Sequence, residues 1–424
     1  MKKVGVAILG LGVVGGGTFK ILTEKKEFFK KTQRLDVTVE SVLERDKERA
    51  IRAGASEDII AGNIEEVVSN PNVDIVVEVM GGVEPAKTFV LKALKSGKSV
   101  VTSNKELFAK CRHELEAEAR KNGAGLYFEA TCVGGVPIIR TLIDGMQANE
   151  IASIKGIING TTNYVLTKMT KDGLSYEAAL KNAQDLGFAE RNPAADVEGF
   201  DATYKLSILA SLAFHSDISI GQVYREGITA VTAEDISAGA EAGYVLKLLA
   251  IGKKSEAGVE VRVHPAFIPV NSGLAGISDS FNAVLLNGDS VGEIMLTGRG
   301  AGALPTGSAI VSDVIYAAKH SEDFRAPLFS DEKTEKETPV VSDFISARFV
   351  RLTASSSASV GKIVSAMEKS GVSVKSIKEK AQSGGVEVTV ITAPAKESAF
   401  KKAEDKIASS CGDVKIVSAI RVEE

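Results

Sequence analysis

Lys3-Val-Gly-Val-Ala-Ile-Leu9 runs directly into Gly10-Leu11-Gly12-Val13-Val14-Gly15, and the residues after Gly15 have the apolar spacing of a helix. An apolar strand, a glycine turn and a helix start are the setting in which G-x-G-x-x-G carries meaning. Gly10 permits the tight turn, Gly12 lets a pyrophosphate approach the main chain, and Gly15 lets the helix lie close to the strand. Phosphate charge then meets the unpaired N–H groups at the positive end of the helix. Gly10, Gly12, Val13, Val14 and Gly15 are therefore expected to hold a dinucleotide, against the alternative of a glycine turn that binds nothing.

Outward from this turn, β-rich runs at Lys3–Leu9, Val37–Leu43, Asp74–Val79, Ser99–Val101 and Leu126–Glu129 alternate with helical stretches such as Pro85–Ser96, stopped by Gly97. The alternation predicts an α/β fold, a Rossmann-type doubly wound parallel sheet over residues 1–135. After Pro137 the pattern changes to a helix at Ile138–Met146, a β-run at Ser153–Ile158, a helix capped by Ser175 and ending at Gly187, and a broadly apolar helix at Phe200–Phe214. Further β-runs at Val259–Val263 and Val291–Thr297 surround His264-Pro265 and lead to a second glycine cluster, Gly298–Gly302. Residues 136–320 thus read as an α+β catalytic and dimerisation domain with a mixed sheet, its last part packing back on the first domain. Residues 321–346 lack apolar periodicity and read as a linker. Residues 347–424 spell βαββαβ through Arg348–Ala354, Val360–Ser370, Val372–Lys380, Val386–Thr392, Ser398–Ser410 and Val414–Val422.

Composition narrows the partners. Hydrophobic residues make up 44% of the 424 and charged ones 25%, an ordinary globular balance. A formal net charge of -4 offers no clustered positive field for nucleic acid or an anionic membrane, so a small-molecule ligand is expected. Cys111, Cys132 and Cys411 suggest neither a disulfide framework nor a thiolate metal site, which fits a reducing compartment. Lys2-Lys3 and the apolar run to Phe19 imitate a secretory leader, but five glycines interrupt it between Gly10 and Gly17 and no small-residue cleavage region comes after it. No apolar run reaches the ~18–20 residues of a membrane span. The expected location is cytoplasmic.

The adenosine end of the ligand should meet the end of the second strand, Val42-Leu43-Glu44-Arg45-Asp46. A carboxylate there would bond the ribose 2′-hydroxyl of NAD, and Arg45 would pair with the 2′-phosphate of NADP. Arg45 with Lys47 tilts the expectation to NADP, with NAD open and a solvated charge cluster as the alternative. Hydride transfer also needs a group that moves a proton at the substrate oxygen. His113, His215, His264 and His320 stand in unrelated contexts, His264 before Pro265 reading as a strand end, and no cluster offers three zinc ligands. Lysine remains, whose proton is loosened by burial or a neighbouring cation. Lys105 follows Val101-Thr-Ser-Asn104 just past a strand's carboxyl end, and Lys205 lies in the apolar helix one turn after Asp201. For Asp201 and Lys205 the bland alternative is a surface ion pair worth about 0.3–0.5 kcal/mol, and for Lys105 a solvated helix start. Their company argues otherwise: the glycine turn Glu129–Pro137 and the loop Gly187–Pro193 with Glu190 describe, with the two lysines, a site for a zwitterion.

These same stretches resemble a known family. GLGVVG at 10–15, VTSNKELFA at 101–109, FEATCVGGVPII at 128–139, GIINGTTNYVLTKM at 156–169, GFAERNPAADVEGFDATYKLSILA at 187–210 and GRGAGALPTGSAIVSD at 298–313 closely resemble homoserine dehydrogenase, over residues 1 to about 320. The resemblance implies reversible NAD(P)-linked interconversion of L-homoserine and L-aspartate 4-semialdehyde, on the route to threonine and methionine. It implies that Lys205 exchanges the proton at the substrate oxygen and that Lys105 holds substrate and nicotinamide and eases loss of that proton. Glu190 would bind the substrate ammonium, Asp201 would orient the reacting end with support from Asp196, and Gly302 would lie near the cofactor. A monovalent cation, expected as sodium, is implied in the turn after the fifth strand, with Glu129, Cys132, Gly134 and Val136 as ligands, mostly through main-chain carbonyls. Val133 stands where the family usually has a small residue and crowds that turn. A homodimer or homotetramer is expected.

Residues 347–424 resemble an ACT domain, a module that often pairs with another copy to bind an amino acid. The family's Asp-x-Pro-Gly loop is Ser355-Ser356-Ser357-Ala358 here, without the glycine that lets a ligand approach the main chain. Threonine as an effector and simple dimer scaffolding both stay open. Two other readings of the whole chain compete: aspartate-semialdehyde dehydrogenase, which needs a nucleophilic cysteine, and a non-enzymatic NAD(P)-dependent amino-acid sensor.

Overall fold

In the computed structural model, which describes residues 1–320 and 339–424, five parallel strands build the first sheet: β1 (Lys2–Leu9), β2 (Leu35–Leu43), β3 (Ile75–Glu78), β4 (Ser99–Thr102) and β5 (Leu126–Tyr127). Their order is β2-β1-β3-β4-β5. The last six residues of β1 are all buried, as a central parallel strand covered on both faces requires. From β1 the chain passes to β2 on one side and later to β3 on the other, so the crevice that binds ligands in such sheets opens at the carboxyl ends of β1 and β3. This sheet belongs to a unit made of Met1–Ile154, Asp201–Val223 and residues 281–320. The Ala303–Lys319 helix covers it: Ile310, Val311 and Val314 share one core with Val6, Ile8, Val37 and Val77.

Several expected elements change at their ends. The run over 126–129 shortens to β5 because Glu129–Thr131 folds into a 3-10 turn. The helix over 85–96 spans Ala86–Lys95, with Gly97 left-handed (φ 72°) beyond it. The helix over 138–146 breaks into a single turn, Ile138–Arg140, and a widened π-turn, Thr141–Gly145, where the Thr141 hydroxyl donates to the Pro137 carbonyl at 2.6 Å. The helix over 200–214 appears as expected, and Ser175 caps Tyr176–Asp185 by accepting the Ala178 N–H.

The second unit comprises Lys155–Phe200, Tyr224–Ser280 and Pro339–Glu424. Its centre is a long antiparallel hairpin, Tyr244–Ser255 against Gly258–Pro269. The sequence suggested only 259–263 of this, because both faces are buried along most of its length and no alternation shows. His264 and Pro265 therefore lie inside a strand, opposite Leu249 and Leu248, and not at its end. Proline is tolerated there because the strand's other edge is covered only at 262–263, by Tyr224–Arg225, and at 266–267, by Arg421–Val422. The C-terminal strands lie in the order Val414–Val422, Ile345–Ala354, Gly385–Thr392, Val374–Gln382, antiparallel throughout. The helices Val360–Glu368 and Glu397–Ser410 cover one face, where Leu352, Ile363, Val388 and Phe400 are buried together. Pairing of Val414–Val422 with Gly258–Pro269 makes this module an extension of the hairpin sheet. Of the expected linker 321–346, residues 321–338 lie outside the described residues. From Pro339 the chain is packed, with Val340 bridging to Val259 and Phe344 buried.

Candidate active site

The three motif glycines do separate work. A methyl group on Gly15 would overlap the Gly10 carbonyl, whereas one on Gly12 would meet nothing within 4 Å, so Gly15 serves packing and Gly12 leaves open space. Gly12 begins the Val13–Glu24 helix without any side-chain cap, which leaves the first-turn N–H groups for an anion. Val13 is exposed and Val14 packs on the core. These features fit a dinucleotide pyrophosphate. Gly302 (φ 121°) starts the Ala303–Lys319 helix, which crosses the first helix so closely that a methyl on Gly17 would overlap the Ala303 carbonyl. At the end of β2, Arg45 and Lys47 are exposed, while the Glu44 carboxylate accepts the Leu11 N–H at 2.7 Å.

In the same unit, Lys205 Nζ donates to Asp201 Oδ2 at 2.6 Å and Lys105 Nζ lies 3.1 Å from Asp201 Oδ1. The Asp201 and Lys205 side chains are 6% and 10% exposed, so the surface-pair alternative fails for them, while Lys105 is 41% exposed. Helix geometry places Asp201 and Lys205 one turn apart on one face. Lys105 comes from the first residue of the Lys105–Lys121 helix, whose far half is tied by Arg112 and His113 to Asp217, just beyond the Lys205 helix.

The sequence reading missed the groups that aim Lys105. Glu78, fully buried at the end of β3, accepts the Thr102 hydroxyl at 2.6 Å and the Met80 N–H at 2.8 Å. Thr102 accepts the Asn104 N–H, and Asn104 both caps the Lys105 helix at Leu107 and donates to the Gly82 carbonyl. Burial pushes the Glu78 carboxyl up, against the hydrogen bonds from Thr102, Met80 and Asn104. A carboxylate closing the apolar run Ile75-Val-Val-Glu78 was the available signal.

The turn after β5 is held from beneath. Asp313 accepts the Glu129 N–H at 2.8 Å and the Arg140 guanidinium at 3.1 Å, and Arg140 lies over the Tyr316 ring. The Glu129 carboxylate accepts the N–H groups of Ile139 and Arg140, and burial, then Asp313, push its carboxyl up to about 7. Val133 is buried in a left-handed conformation (φ 55°), and Gly134 follows at φ 48°. For a β-branched residue this costs roughly 1–2 kcal/mol. Cys132 Sγ faces the Lys205 carbonyl at 3.7 Å, and burial pushes its thiol up to about 12. Among the described residues, no group of three or more His, Cys, Asp and Glu side chains could hold a metal ion. In the second unit, Asp196 accepts from the Asn159 side chain at 2.7 Å, and Glu190 is exposed in its loop with its carbonyl bonded to Gln184.

Comparison with known proteins points to one family. The family profile described as homoserine dehydrogenase, NAD binding domain, matches residues 10–129, and the homoserine dehydrogenase profile matches residues 137–315. The homoserine dehydrogenase of Bacillus subtilis is 37% identical over 99% of this chain and 98% of its own. The crystal structure of a homoserine dehydrogenase from Thiobacillus denitrificans superposes with a TM-score of 0.94 at 36% identity, covering 100% of this chain and 99% of that one. A hyperthermophilic archaeal homoserine dehydrogenase in complex with NADPH is similar over 75% of this chain and 98% of its own, with a TM-score of 0.64 at 29% identity. With a buried aspartate holding two lysines in the unit that carries the NAD-binding turn, and relatives matching along the full length, the chain belongs to the homoserine dehydrogenase family.

Proposed function

We propose that Lys205 exchanges the proton at the terminal oxygen as the chain interconverts L-homoserine and L-aspartate 4-semialdehyde with an NAD(P) dinucleotide. The observation that carries this is one buried carboxylate, Asp201, engaged by both Lys205 and Lys105. The dinucleotide, when bound, accepts or supplies the hydride. Lys205 in its neutral amine form takes the hydroxyl proton as the alcohol is oxidised, becoming the ammonium, and as the ammonium it returns a proton to the oxygen in the reverse direction. Asp201 fixes the direction of both lysine nitrogens, and Lys105, the more exposed of the two, holds substrate and nicotinamide. Glu190 binds the substrate ammonium, with Asp196 supporting the substrate. Gly302 borders the cofactor.

The finer assignments rest on the same reading. NADP is supported by the exposed Arg45 and Lys47 and by the archaeal relative's NADPH complex, and the Glu44 carboxylate weighs the other way. Sodium would be held by the main-chain carbonyls of Glu129, Cys132, Gly134 and Val136, since the Glu129 carboxylate and the Cys132 sulfur face other partners. The domain scheme is 1–135 for nucleotide, 136–320 for catalysis and dimerisation, and 347–424 as an ACT-like module in a cytoplasmic homodimer or homotetramer. No helix among the described residues is long and apolar enough to cross a membrane. Threonine is the proposed effector of the C-terminal module.

Following reduced-cofactor absorbance with purified protein, L-homoserine and each dinucleotide in turn should show turnover. Absence of turnover with either dinucleotide would sink the proposal. In the same assay threonine should lower the rate, and an unchanged rate up to millimolar threonine removes the effector role. The semialdehyde dehydrogenase alternative loses support because the Cys132 sulfur is fully buried against the Lys205 carbonyl, and burial, which pushes its thiol up, disfavours a thiolate.

A further inference from the structure

We infer that the cleft between the Ala233–Glu241 helix and the C-terminal sheet binds a small α-amino acid as its zwitterion. The cavity measures about 450 Å³ and lies wholly within the second unit. Along Gly385–Thr392, Val386, Val388 and Val390 pack into the core beneath the module's two helices, so Glu387, Thr389 and Ile391, which line the cavity, stand on the opposite face of the sheet. One wall is acidic and the other basic: Glu234 and Glu241 belong to the helix, Lys378 and Lys380 to the edge strand Val374–Gln382. Arg351, 6% exposed, also lines the cleft and is held by Asp235 at 2.6 Å and Glu387 at 3.3 Å.

The two walls neutralise each other only in part. Lys378 pairs with Glu241 across the cleft, whereas the side chains of Glu234 and Lys380 make no hydrogen bond or ion pair with another described residue. Opposite charges left on facing walls select a ligand that carries both signs at once, its ammonium toward Glu234 and its carboxylate toward Lys380 and Arg351. A simple anion or cation would satisfy one wall and be repelled by the other. The loop Ser355–Ala358 is a poorer host. It is glycine-free, and its Ser355 hydroxyl donates to the Asp413 carboxylate at 2.8 Å, which also accepts the Ser359 hydroxyl, so these donors are already engaged.

This inference rests on the effector reading of the C-terminal module above and gives that effector a different seat. Equilibrium dialysis of the full chain against labelled L-threonine should show binding. Glu234→Gln and Lys380→Gln change exposed side chains and should each weaken it about fivefold, the upper worth of a solvent-exposed ion pair, with unfolding temperatures unchanged. Ser356→Trp, which crowds the loop, should leave it within twofold. Threonine that binds equally to both glutamine variants and is lost from Ser356→Trp overturns the cleft while the effector reading stands. If no threonine is retained and the rate ignores it, the effector reading falls and this inference with it.

Discussion

In the first unit, Asp201 gathers Lys205 and Lys105; in the second, four arginines, Arg262, Arg348, Arg351 and Arg421, are buried among Glu226, Asp235, Glu387, Glu397 and Glu423. Both clusters take charge out of water, which is costly unless the charges are paired and hydrogen-bonded. They differ in what the cation can do. Arginine keeps its proton at any pH a protein meets and offers a planar fork of donors: Arg421 alone reaches Glu226, Tyr224 and both oxygens of Glu397. Lysine is a point charge on a flexible stem whose proton can leave. The arginine cluster ties the C-terminal module to the Gly258–Pro269 strand, and His264 within it is held well below its ordinary range by burial and by Arg262. Buried lysine on an aspartate is the arrangement that can transfer a proton.

The sharpest way to break this comparison is Lys205→Arg, which keeps a cation for Asp201 and removes the removable proton. Turnover should fall by about 10²–10⁴-fold, the usual worth of a positioned acid-base group, while dinucleotide binding measured by calorimetry stays within a few-fold. Near-normal turnover in Lys205→Arg would show that the site needs only charge. The mirror experiment is Arg421→Met, which strands Glu397 and Glu226 in the second unit. Losing one partner of a buried pair should cost about 3–5 kcal/mol in a denaturant titration. Turnover per folded molecule should hold, and a stability loss below about 1 kcal/mol would place the network with surface pairs.

How far the sequence showed this difference depends on pattern. Asp201 and Lys205 stood out because they interrupt an apolar helix at i,i+4, and the glycine turn stood out because its spacing follows from main-chain geometry. The arginine cluster was invisible: its members are scattered from Glu226 to Glu423 and meet only in the folded chain, across long sequence separations. Glu78 was missed for a similar reason, since its partners Thr102 and Asn104 come from the end of the neighbouring strand and the helix cap after it. The hairpin 244–269 escaped because strands buried on both faces carry no alternation.

Glu116 offers a third kind of buried charge and the smallest effect. It lies on the Lys105–Lys121 helix, 5% exposed, with Oε1 lacking a hydrogen-bond partner among the described residues. Burial pushes its carboxyl up to about 7, against the attraction of Arg112 and Arg120. The folded protein thus holds this proton more tightly than the unfolded chain does. The group's contribution to stability is complete below the ordinary glutamate value and is lost as pH rises through about 7. Glu116→Gln removes the ionisation, so the variant should match the unmodified protein near pH 4.5 and exceed it at pH 8 by about 1–2 kcal/mol, less than the full linkage value because the two arginines offset part of the burial. Denaturant midpoints at the two pH values measure this directly. An equal difference at both would mean that Glu116 stays ionised throughout.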